Sequence, residues 1–251
     1  MMAWVSTHPT AYVFLFALLT ALATSLGVLP FAFIRTVSAR GMAIANAIAA
    51  GLMLGASFGL LVEGTHHSGW ATFLGTNLGI LFIVATQRLL GHGDGGETAF
   101  LGARGAGARR MIFVIAIMTV HSFAEGAAVG VSFGGGTTLA LAITLAVAVH
   151  NIPEGLAITA VMRPQGESLL SCAWWSLFSS LPQPLAAVPA FLFVAYLHAA
   201  LPYGLGFAAG AMIFMVLVEL LPAAYEEAWS RSVAVVTSTT LIAMLLLQRY
   251  L

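Results

Sequence analysis

Two short stretches carry the residues that could do chemistry. His121-Ser122-Phe123-Ala124-Glu125-Gly126 and His150-Asn151-Ile152-Pro153-Glu154-Gly155 each place an imidazole four residues before a carboxylate, and each lies inside a long apolar run. On a helix, positions i and i+4 share one face a turn apart, so each stretch projects a His and a Glu side by side. A charged side chain in hydrocarbon costs roughly 2.5–3.5 kcal/mol on insertion scales. Two such pairs at matching depth need compensation, and the simplest is that they face each other and share something positive. Two imidazoles and two carboxylates suit borderline divalent ions such as Zn²⁺, Fe²⁺, Mn²⁺ or Co²⁺. Two ionised Glu would balance a 2+ charge and remove much of the burial penalty on both sides. Gln183, bracketed by Pro182 and Pro184 within another apolar run, adds an amide.

The elements that must position these groups are membrane helices. Of 251 residues, 60% are apolar and only 7% charged, against about 25% charged in a soluble domain. So few charges cannot coat a globular surface, and the chain reads as an all-α polytopic membrane protein. Net charge is zero and every basic residue is Arg, which suggests no nucleic-acid surface. Cys172 is the single cysteine, so there is no disulfide framework and no Cys-based metal site. Ala21-Leu22-Ala23 has the look of a signal-peptidase site. No Lys or Arg precedes it and the apolar run continues to Leu29, so the segment is read as a retained span.

Apolar runs between polar breaks give eight spans in one transporter domain, 1–251, at about 11–34, 41–63, 71–90, 111–133, 137–161, 170–197, 203–224 and 230–249. Arg35, Arg40, Arg88, Arg104, Arg109, Arg110, Arg163 and Arg231 flank odd-numbered loops, and only Arg249 falls on the other side. This bias puts both termini on the extracytoplasmic side. At about 1.5 Å per residue, His121 lies about 16 Å beyond Arg110, near the midplane, and His150 descends from Gly136 to the same level. Gln183 falls there too. The prolines around it free backbone carbonyls, tolerated at depth only against protein or a wet cavity, and a broken helix at that level points to a binding site. A faint echo, Ala50-Gly51-Leu52-Met53-Leu54 against Ala209-Gly210-Ala211-Met212-Ile213, suggests an inverted repeat of three spans on each side of a central hairpin, a 3-2-3 arrangement.

Other readings of the His-Glu pairs are a structural polar cluster, a non-transporting metal sensor, a membrane-embedded metal hydrolase and a proton-driven carrier of an organic substrate. A hydrolase needs an activated water and a base, but no His-Glu-x-x-His occurs. An organic-substrate carrier should show aromatic or Arg anchors, and only Phe123 lies within the motifs. Glu63, His66 and His67 cluster at the outer end of the second span, as a cation funnel or a solvated loop. Glu219, in the seventh span before Pro222, is an exit ligand or a snorkelling carboxylate. The Gly-rich loop carrying His92, Asp94 and Glu97 is read as disordered, with weak metal capture the minor reading.

The two motifs, with Phe207-Ala208-Ala209-Gly210-Ala211-Met212 through Glu219-Leu220-Leu221-Pro222, resemble those of the ZIP (Zrt/Irt-like) divalent metal transporters, bacterial type. The resemblance implies a non-enzymatic importer of metal into the cytosol, probing Zn²⁺ first and Fe²⁺, Mn²⁺ or Cd²⁺ behind it. It implies no cofactor and a homodimer in the lipid bilayer, while the compact, Ala- and Gly-rich chain suggests a bacterial cytoplasmic membrane. His121, Glu125, His150, Glu154 and Gln183 would be the metal ligands by carry-over, with Asn151, Met53 and Ser122 as further candidates. Ligand-bearing helices would move against a scaffold of the others. Ser122 and Ala124 replace the Asn and Pro usual in the fourth-span motif, and Gln183 stands where many bacterial members carry a Glu that helps bridge two metals. One ion per cycle is therefore expected.

Overall fold

The computed structural model describes residues 8–34, 36–89 and 106–250, without the side chains of 106–110, 113 and 227. The loop carrying His92, Asp94 and Glu97 lies outside the described residues. Helices α1 (Pro9–Leu26), α2 (Ala39–Leu89), α3 (Ala106–Ser132), α4 (Thr137–Met162), α5 (Leu169–Ser180), α6 (Pro182–Tyr196) and α7 (Leu201–Met215) are followed by a π-turn (Val216–Leu220), then α8 (Leu221–Glu227) and α9 (Ser230–Tyr250). No strand occurs among the described residues, and seven helical segments are long and apolar enough to cross a membrane. Turn chemistry marks their ends. Gly136 (φ 114°) precedes α4 and Gly166 (φ 91°) follows it, both in conformations that disfavour a Cβ. The Ser168 hydroxyl caps α5 by accepting from the Ser171 amide at 3.1 Å.

The 51-residue α2 contains one non-helical residue, Ser68 (φ −166°, ψ 112°). Asn46 lines the same cavity as Glu219, and the Gln87 amide donates to the Glu219 carboxylate. A straight helix would hold Asn46 and Gln87 about 60 Å apart, so α2 doubles back at Ser68 into two arms. The sequence suggested a loop over 64–70, but the helix continues on both sides of a single extended residue. The Ser68 hydroxyl then accepts from the Ala71 amide (3.3 Å), starting the second arm as an N-cap does.

The interruption expected at Leu181-Pro182-Gln183-Pro184 is also slighter than a break. Leu181 keeps near-helical angles (φ −57°, ψ −27°), and the prolines occupy the first turn of α6, where a missing N–H costs nothing. Pro153 sits inside an unbroken α4.

Close packing sorts the helices into two groups. A Cβ added to Gly155 would overlap the Thr24 carbonyl, locking α4 to α1, and one on Gly126 would overlap the backbone of Gln183, locking α3 to α6. In the same way Gly210 locks α7 to the second arm of α2 at Thr76, and Gly51 locks the first arm to α9 at Thr237 and Thr240. Small residues allow such backbone approach between membrane helices. Val129, Ile143, Val147, Leu205 and Met212 form a buried apolar core beside the His-Glu level.

Candidate metal site

α3 presents His121 and Glu125, and α4 presents His150 and Glu154; all four side chains are buried. The pairs meet crosswise. His150 Nε2 lies 3.0 Å from Glu125 Oε1 on the opposite helix and 3.3 Å from Glu154 Oε1 on its own. His121 Nδ1 is 3.9 Å from Glu154 Oε1. Its Nε2 turns instead to Glu219 Oε2 on the π-turn, at 2.9 Å. One ligand atom each from Glu125, His150 and Glu154 lie within 4.8 Å of one another. Atoms this close could share a single cation, or a proton carried by His150. His150 Nδ1 and Glu154 Oε2 are buried without a hydrogen-bond partner, a cost of about 1–3 kcal/mol for each such group. The donor set fits a borderline divalent ion, with three protein ligands and an open position.

These groups face a cavity of about 200 Å³ that also touches Glu219. Its remaining wall is mostly apolar, with Met53, Met118, Pro153, Ala157 and Met215. Met118 precedes His121 on α3 and Ala157 follows Glu154 on α4, so in this antiparallel pair the cavity extends toward one side only. Toward the other side stand the buried Val129 and Val147.

Met53, a soft candidate on sequence, is on the wall. Glu219, an exit-ligand candidate on sequence, pairs with His121 at the edge of the cluster. The π-turn inserts an extra residue per turn and re-aims the side chains that follow, and Gln87 on α2 holds the carboxylate from behind. Gln183, expected as a ligand, is fully buried, does not line the cavity, and donates Nε2 to Glu125 Oε2 at 2.7 Å. Its Oε1 accepts from the Thr20 hydroxyl (2.6 Å) and from Asn151 Nδ2 (3.1 Å). Asn151 likewise points away, Nδ2 donating to the Thr20 carbonyl at 2.7 Å. Ser122 is buried with a hydroxyl lacking a partner and does not reach the cavity. Glu63 and His67 pair at 3.2 Å at the surface, about 15 Å along the first arm from Met53; with His66 they stand apart from the cluster. Thr20, Asn46 and Gln87 carried no sequence signal, being ordinary polar residues without a motif.

A family model described as ZIP Zinc transporter matches residues 98–246. A candidate zinc transporter of Arabidopsis thaliana is 46% identical over 92% of this chain, which spans only 37% of that protein's length. The zinc transporter GufA of Myxococcus xanthus is 32% identical over 86% of this chain and 89% of its own. The zinc transporter ZIPB of Bordetella bronchiseptica is 30% identical over 82% and 70%. The chain belongs to the ZIP family, whose members are zinc transporters and not enzymes.

Proposed function

We propose that this chain imports a divalent transition metal, Zn²⁺ foremost, across the membrane into the cytosol through the buried His/Glu cluster. The convergence of Glu125, His150 and Glu154 within 4.8 Å carries the reading. These three are the first ligands; His121 and Glu219 supply the next position on the ion's way out. The doubling of α2 at Ser68 supports eight crossings from seven long segments. With Arg40, Arg163 and Arg231 on the cytoplasmic side, both termini are extracytoplasmic and the cavity opens inward. The inverted repeat gains support from packing. Gly51 meets Thr237 and Thr240 of α9 as Gly210 meets Thr76 of the second arm, the correspondence a 3-2-3 repeat requires. The two interlocked groups, α1 with α3 to α6 and α2 with α7 to α9, would slide past each other, with the first ligands on one and Glu219 on the other.

Zinc uptake by sealed proteoliposomes holding a fluorescent Zn²⁺ reporter tests the reading. Uptake by the wild type supports it; tight binding without uptake would make the protein a metal sensor. Two further outcomes follow from the ligand chemistry. Gln183→Glu, which sets a carboxylate 2.7 Å from Glu125 in place of an amide donor, should raise zinc bound at saturation from one ion per chain to two, counted by elemental analysis. Zinc affinity should fall steadily from pH 7.5 to 5, because His and Glu bind metal only when deprotonated. The sign is that protons compete with the cation, and each proton displaced contributes up to about tenfold per pH unit. A flat profile would contradict ligation by these residues.

A further inference from the structure

We propose that Asn151 and Thr20 form an orienting relay that fixes the Gln183 amide and thereby leaves Glu125 one free oxygen for the ion. The inference rests on the transport reading above. The direction of each hydrogen bond is fixed in turn, starting from a group that cannot change role. The Thr20 backbone carbonyl only accepts, so the Asn151 atom 2.7 Å from it must be the amide nitrogen. The same nitrogen lies 3.1 Å from the Gln183 amide, so the atom facing it must be the oxygen. The Thr20 hydroxyl, shared between Gln183 Oε1 (2.6 Å) and the Ala17 carbonyl (2.7 Å), adds a second donor to that oxygen. The Gln183 NH₂ group is thereby forced toward Glu125, where Nε2 lies 2.7 Å from Oε2. Asn151, Gln183 and Thr20 are all fully buried, so no water competes for these directions.

The consequence falls on the cargo. With Oε2 held by the amide, Glu125 offers the ion Oε1 alone, the atom already 3.0 Å from His150 Nε2. A carboxylate restricted to one oxygen suits a four-coordinate ion with imidazole and carboxylate ligands, and disfavours larger ions that take carboxylates through both oxygens. Asn151 thus acts through Gln183 and Glu125 without touching metal. Groups of this kind typically change metal affinity by about 10- to 100-fold when removed.

The ligand and relay roles predict opposite orders at position 151. If Asn151 bound the ion, Asn151→Asp would bind zinc at least as tightly as wild type, and Asn151→Ala would be weakest. In the relay, Asp puts a second acceptor against the Thr20 carbonyl and turns the Gln183 oxygen toward Glu125. Asn151→Asp should therefore bind zinc about tenfold or more weakly than wild type, and more weakly than Asn151→Ala. Titration of the purified full chain in detergent with Zn²⁺ alone reads this order. An Asp variant equal to or tighter than wild type, or holding a second ion, overturns the relay. Should Asn151→Asp not fold, position 20 decides. Thr20→Val should raise the KM for zinc uptake several-fold with little change in maximal rate, and Thr20→Ser should restore it; an unchanged KM in Thr20→Val overturns the relay. Wild-type uptake in the same vesicles reports separately on the transport reading, so the two can fail independently.

Discussion

Zinc uptake should fall more than about 100-fold in both Glu154→Ala and His150→Ala, with incorporation into vesicles and elution of the purified protein unchanged. The effect is this large because in the proposed site each side chain supplies a metal-ligand atom, and even groups one layer behind a metal typically matter by about 10- to 100-fold. Glu154 approaches both imidazoles, at 3.3 Å from His150 and 3.9 Å from His121, so its loss unbalances the cluster on both helices. The folded state should tolerate the change. Removing one partner of a buried ion pair typically costs roughly 3–5 kcal/mol, but Glu125 still stands 3.0 Å from His150 when Glu154 is lost and Glu154 Oε2 is already without a partner, so the variant should melt at a lower temperature and still fold. Uptake surviving in either variant would remove that residue from the ion's path.

Gly155→Ala should destabilise the protein by at least about 3 kcal/mol, beyond the usual range for overpacking. The added Cβ would overlap the carbonyl of Thr24 in the facing backbone, and a backbone atom cannot rotate aside as a side chain can. α1 and α4 would have to part along the seam that also carries the Asn151 to Thr20 hydrogen bond. Gly69→Ala is the matched control, because nothing lies within 4 Å of a Cβ built there. It should leave the melting temperature in detergent unchanged or slightly raised. Equal melting temperatures for the two variants would mean that α1 and α4 do not interlock as described.

The sequence shows these features unequally. His121, Glu125, His150 and Glu154 are legible because titratable residues at helical spacing stand out against apolar runs, and antiparallel neighbours of similar depth must meet. Which His faces which Glu is not legible, since it depends on helix rotation; His150 reaches Glu125 across the helices as well as its own Glu154, whereas His121 turns to Glu219. Glu219 is legible as an exit-ligand candidate, but its pairing with His121 is not, because it depends on the π-turn at Val216–Leu220. Gln183 and Asn151 are ligand candidates through the family resemblance, and an amide in an apolar run does not show which way it turns. That direction is set by the carbonyl of Thr20, 131 residues from Asn151 in the chain. The stretch 64–70 reads as a loop because it falls between two apolar runs, yet the helix continues on both sides of Ser68 and turns at that one extended residue.

The division of carboxylates between the two interlocked groups bears on how voltage acts on the cycle. The group containing α3 and α4 carries Glu125 and Glu154 at depth, whereas Glu219 belongs to the other. In the proposed cycle, with both ionised, a divalent cation would cancel their charge, and the loaded group would move as a neutral body that the membrane potential neither helps nor hinders. The empty group would carry two negative charges, each coupled to the field by about 2.3 kcal/mol per 100 mV for a full crossing. An inside-negative potential would therefore act on the empty return, drawing it outward to meet the next ion.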